Sequence, residues 1–159
     1  MTFDSWLLAL HLLFATALVA AVTIFWVLVL AVRSADRPAQ VLALKPLLRV
    51  GGLVVIAGSL GSVVFGVWLA ITLDAYHPWD GWVIAAIVLW AIASETGRRT
   101  DPEYGRAFAR ATELAAAGET GPSPELAALC RPRTGMLLHA ASSAAVLLIL
   151  LDMIWKPGA

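Results

Sequence analysis

The sequence predicts an all-α fold: a four-helix transmembrane bundle, both termini outside, with short amphipathic helices in its cytoplasmic loops. Three observations carry this. Of the 159 residues, 60% are hydrophobic and only 14% are charged, with a mean hydropathy of +0.84; an ordinary soluble domain is about 45–50% apolar and about 25% charged. The few charges are spaced so that four long apolar stretches stand between them. Lys and Arg gather in alternate connections. The expected organisation is one integral membrane domain over residues 1–159. A formal net charge of zero offers no basic field to nucleic acid. A single cysteine, Cys130, allows neither an internal disulfide nor a cysteine metal cluster.

The first span is expected over 5–32, between Asp4 and Arg33. At 1.5 Å per residue it reaches about 42 Å, beyond the roughly 30 Å hydrocarbon core, so it tilts or overhangs. It reads as a retained helix and not a signal peptide, because Met1-Thr2-Phe3-Asp4 has no basic n-region and the apolar run is too long. In the loop 33–49, Val41, Leu42 and Leu44 ahead of Lys45-Pro46 predict a short helical segment. The second span is expected over 50–73. The third, 80–97, is the shortest and is interrupted only by Glu95. The loop 98–134 carries two helix-start signals: Asp101-Pro102, with Gly118 as its stop, and Ser123-Pro124-Glu125, ended by Pro132. Tyr104, Phe108, Ala111 and Ala115 share one face of the first of these, which should lie on the membrane surface or against the bundle's end. The fourth span, 135–155, is interrupted only by Asp152.

Orientation follows from the basic residues. The loops 33–49 and 98–134 hold Arg33, Arg37, Lys45, Arg49, Arg98, Arg99, Arg106, Arg110, Arg131 and Arg133, ten of the eleven; the other side has only Lys156. Both loops are therefore expected in the cytoplasm. Trp6, Trp79, Trp82, Trp155 and Tyr76 fall near the outer interface, as an aromatic belt does. The Arg- and Ala-rich composition suggests a bacterial protein, hence a bacterial cytoplasmic (inner) membrane.

In the second span Gly58, Ser62 and Gly66 recur every four residues, a pattern that lets helices approach closely. It reads either as a helix-packing seam or as a flat wall against a planar cofactor. Ionisable groups inside a span are costly and mark functional candidates. Here they separate by depth: His11 with Asp152 and Met153 towards the outer side, where His77 also lies, and Glu95 with His139 towards the inner side. Glu95 and His139 are expected to form a buried polar pair. His11 and His139 differ by about 15 Å in depth, whereas two axial nitrogens of one metal lie only about 4 Å apart. If His11 is an axial ligand, its partner should be Met153 or His77, or the site is five-coordinate; imidazole with thioether is a known haem pair.

The run Trp6-Leu7-Leu8-Ala9-Leu10-His11-Leu12-Leu13-Phe14, the glycine-rich second span and the closing Met153-Ile154-Trp155-Lys156-Pro157 resemble the small membrane proteins allied to HemJ-type protoporphyrinogen oxidases and CopD-like proteins. The resemblance is closest to an uncharacterised branch of predicted four-helix integral membrane proteins. It implies haem b held through the helix 1 histidine, which maps onto His11. The HemJ-type enzymes also use a lysine in a later span; the third span here has none, so the resemblance carries over no second ligand.

The expectation is a small multi-pass membrane protein of the bilayer that binds haem b or a porphyrin through His11 in a redox role. The alternative is a non-catalytic subunit or assembly factor packing against partner helices, within a homo-oligomer or a larger membrane complex. Nucleic acid is not an expected partner. No triad, phosphate loop or zinc-spacing motif supports a hydrolase or nucleotide enzyme.

Overall fold

The computed structural model describes residues 2–73, 77 and 79–157. Among them every regular element is helical: α1 (Phe3–Ser34), α2 (Pro38–Leu42), α3 (Lys45–Thr72), α4 (Gly81–Ala116), α5 (Pro124–Leu129) and α6 (Arg133–Trp155). The stretches Phe3–Ser34, Pro38–Thr72 and Pro124–Trp155 are long and apolar enough to cross a membrane. Large apolar side chains stand exposed along all four long helices, among them Leu12, Leu53, Ile84, Val88 and Leu147. This inverts the arrangement of a water-soluble protein, in which such patches are small.

Two of the helices, α1 and α5, start where a hydroxyl satisfies the backbone. The Thr2 hydroxyl accepts from the Ser5 amide at 3.3 Å and caps α1. Ser123 does the same for α5 through the Leu126 amide. Gly118, at φ 78°, closes α4, and the Glu119 amide reaches back to the Leu114 carbonyl at 3.0 Å. The sequence signals at Ser123 and Gly118 thus act as expected.

The signal at Asp101-Pro102 does not. In place of a span ending at 97 and a new helix beginning at 101, α4 runs unbroken for 36 residues with Pro102 inside it. A proline in a helix interior forfeits one backbone hydrogen bond and crowds the carbonyl four residues earlier. The helix continues because Tyr104, Ala107, Ala111 and Leu114 are buried against Val32, Val41, Leu126 and Cys130 from α1, α2, α5 and its end. Tertiary burial overrides the local stop. At 1.5 Å per residue α4 is about 54 Å long, so it joins an apolar half to a charged half in one rod.

The long helices form two pairs, α1 with α3 and α4 with α6. The first is welded by small residues. A Cβ added at Gly58 would lie 2.6 Å from the Leu18 backbone nitrogen, and one at Gly51 3.2 Å from the Ile24 side chain. The Phe14 ring covers Gly61 and stacks on Phe65 at 5.4 Å. Among the described residues, three apolar clusters join the two pairs. At the end that carries the basic residues, α1, α2, α4 and α5 share the largest apolar cluster. Midway, Leu18 and Val22 of α1 pack on Ala93, Ala145 and Val146. At the opposite end Ala70 meets Trp82, Val83 and Met153. Two indoles tie the pairs together by hydrogen bonds: Trp26 Nε1 donates to Ser143 Oγ at 3.0 Å, and Trp90 Nε1 to Ser59 Oγ at 2.8 Å.

Trp6, Trp79 and Trp155 are exposed, as interfacial residues should be. Trp82 is a correction to the expected aromatic belt: it is 6% exposed and belongs to the interior, because it fills the gap between Ala70 and Met153. Tyr76 lies outside the described residues.

Candidate functional site

Between the midway and far contacts the helix pairs separate around a partly open cavity of about 610 Å³. All four long helices line it, and its walls are overwhelmingly apolar: Leu8, Leu18, Val63, Val67, Ala86 and Leu150 are among them. Trp90 and Val146 lie at its inner limit, and Thr2, Asp4, Ser5 and Lys156 line it at the far ends of α1 and α6. A volume in the range of about 300–1,000 Å³ with few polar groups is the profile of a small-molecule or cofactor site.

His11 lies on the wall of this cavity. Its Nδ1 is 2.9 Å from the backbone carbonyl of Ser62 on α3. A carbonyl can only accept, so Nδ1 carries the proton, and in the neutral ring Nε2 keeps its lone pair. The Ser62 carbonyl is reachable because the residue one turn further on is glycine. A Cβ at Gly66 would lie 2.8 Å from His11 Cε1 and 2.9 Å from Nδ1. The stripe of small residues is therefore a packing seam for α1, filled by its backbone and side chains. Gly58 admits the α1 backbone, Gly66 admits the imidazole, and Ser62 between them orients the ring.

Of the candidate partners for His11, Met153 lines the same cavity and packs against Trp82. His77 does not line it: that residue is exposed, its ring 5.0 Å from Trp79 and its backbone amide bonded to Asp80 Oδ2 at 2.8 Å. Among the described residues no three His, Cys, Asp or Glu side chains gather to form a metal cage.

The expected Glu95–His139 pair is not formed. Glu95 accepts from Arg98 at 2.9 Å and from Arg99 at 2.7 Å on its own helix, with its side chain 42% exposed. Helical spacing of three and four brings those arginines onto its face. His139 is instead 8% exposed, its ring edge-on to Trp26 at 4.6 Å. Ser143 Oγ donates to the His139 carbonyl at 2.8 Å. Matching depth did not bring the two together because they lie on different faces of the α4–α6 pair.

Trp82 and Trp90 are site residues that sequence reasoning missed. With Ala86 they recur every four residues on one face of α4, all three lining the cavity, and that spacing was the available signal. No protein-family model, curated protein or solved structure matches this chain.

Proposed function

We propose that this protein is a multi-pass protein of the bacterial cytoplasmic membrane that binds haem b or a related porphyrin in the cavity between its helix pairs, with His11 as the axial ligand, in a redox role. The membrane assignment draws on the three long apolar helices and on the exposed Ile84, Ile87, Val88 and Ile92, which suit residues 80–97 of α4 to a fourth span. The basic ends of the loops favour a cytoplasmic position for 33–49 and 98–134, with both termini outside.

One observation carries the ligand assignment. His11 donates Nδ1–H to a backbone carbonyl and keeps Nε2 as a lone-pair donor on the wall of a cavity of about 610 Å³. Metal-bound histidines characteristically give their other ring nitrogen to such an acceptor, which fixes tautomer and orientation. A tetrapyrrole would supply one-electron chemistry; this chain supplies an imidazole, a largely apolar surround, and Met153 as a soft partner on the same cavity. The alternative of a helix-docking subunit loses its motive at the small-residue stripe, since Gly58 and Gly66 are already covered by α1 within the chain.

The test is an absorption spectrum of the purified, haem-supplemented protein, oxidised and reduced. A Soret band is expected for the native chain, abolished by His11→Ala and retained by His139→Ala. Absence of a band in the native chain, or its survival in His11→Ala, would overturn the assignment.

A further inference from the structure

Lys156 ends α6 in the left-handed conformation, with φ 42° and ψ 62°. Among the described residues it is the one non-glycine residue at positive φ. Helix ends of this kind favour glycine, because a side chain crowds the backbone there. A lysine at such a position suggests that its side chain does something a bare cap does not.

The geometry shows where that side chain is put. The Lys156 amide closes the helix on the Asp152 carbonyl at 2.8 Å, and its ammonium lies 5.3 Å above the centre of the Trp82 ring. Trp82 is a buried wall of the cavity, and Lys156 itself lines it. Lys156 is the one lysine or arginine among the cavity's lining residues; the other ten lie in the 33–49 and 98–133 segments. Asp4 also lines the cavity and, being a carboxylate, discourages an anion on its own side. A ligand with an apolar body and an acidic edge is therefore guided to one orientation, body inward and acid against Lys156.

We propose that Lys156 anchors a carboxylate of the amphipathic ring compound that occupies the cavity, and so sets which edge of that ligand faces outward. The inference deepens the tetrapyrrole reading above and rests on it for the class of ligand.

The test uses the full chain in lipid nanodiscs and metal-free protoporphyrin IX, which needs no axial ligand, beside its dimethyl ester, which has no free acid. Affinities are read by porphyrin fluorescence. Lys156→Gly is expected to weaken binding of the diacid about three- to tenfold, the scale of a partly solvated charge-assisted contact, and to leave the diester unchanged. Lys156→Arg should keep the native preference for the acid. Because glycine suits the αL position, Lys156→Gly should also keep or raise the thermal midpoint of the ligand-free protein. Equal affinity of native chain and Lys156→Gly for the diacid, equal loss for acid and ester, or no binding of the diacid to the native chain would overturn the anchor. The haem reading stands or falls separately, on the His11-dependent Soret band: acid discrimination through Lys156 without that band would leave the anchor and remove the axial ligand.

Discussion

His11 depends on a backbone atom of another helix. Its depth can be read by counting from Asp4, but the acceptor for Nδ1 is the Ser62 carbonyl, and access to it rests on Gly66. Gly66→Ala would place a methyl group 2.8–2.9 Å from two ring atoms of His11. The ring, not the helix backbone, is the part that can move. The expected outcome is loss or a strong shift of the Soret band, with a stability loss of only about 1 kcal/mol, at the low end for overpacking. Haem titration alongside thermal unfolding checks this. An unaltered spectrum would show that the glycine does not position the ligand. Met153 was legible beside His11 because both lie near the ends of their helices away from the basic residues; that His77 does not line the cavity was not, since position along the chain alone admitted it.

Among the elements, α4 departs furthest from its sequence signals. Asp101-Pro102 reads locally as a start, and the chain overrides it because Tyr104, Ala107, Ala111 and Leu114 gain burial only if the rod continues into the cluster with α2 and α5. Proline inside a helix costs about 3 kcal/mol relative to alanine, less roughly 1 kcal/mol for the freedom alanine restores to the unfolded chain. Pro102→Ala is therefore expected to stabilise the protein by about 1–2 kcal/mol, raising its thermal midpoint in detergent without changing ligand binding. A fall in midpoint would mean that the packing of the charged half needs a bend at Pro102. The α3 stripe is the opposite case. Its four-residue spacing announced close contact correctly, but not what would fill it; α1 does, with its backbone at Gly58 and its His11 ring at Gly66.

At the scale of the whole molecule, the two ends differ in construction. One end is a packed cluster that buries Cys130 and is braced by Arg110, bonded to Glu113 at 3.0 Å and to Glu125 at 2.9 Å. Cys130 is fully buried there and so shielded from reagents in water. The other end is loosely joined around the cavity. The proposed orientation puts the braced end in the cytoplasm. With Cys130 replaced by Ala, a cysteine at the exposed Glu119 should resist a membrane-impermeant maleimide in intact cells and react after lysis. A cysteine at the exposed Pro157 should react in both. The reverse pattern would invert the topology.

The sequence by itself determined that the chain is helical and apolar enough to span a membrane, that its basic residues gather at one end, and how far along its helix each ionisable group lies. These depend on composition and on a fixed rise per residue, which neighbours hardly alter. Only the tertiary structure decided which groups of equal depth meet. Each residue turns a helix by about 100°, so partners depend on how each helix is rotated. That rotation is set here by glycines admitting one backbone or ring and by tryptophans bonding across the pairs. Hence His11 and Met153 share a cavity, Glu95 and His139 do not, and Trp82 is a wall of the site and not part of the belt.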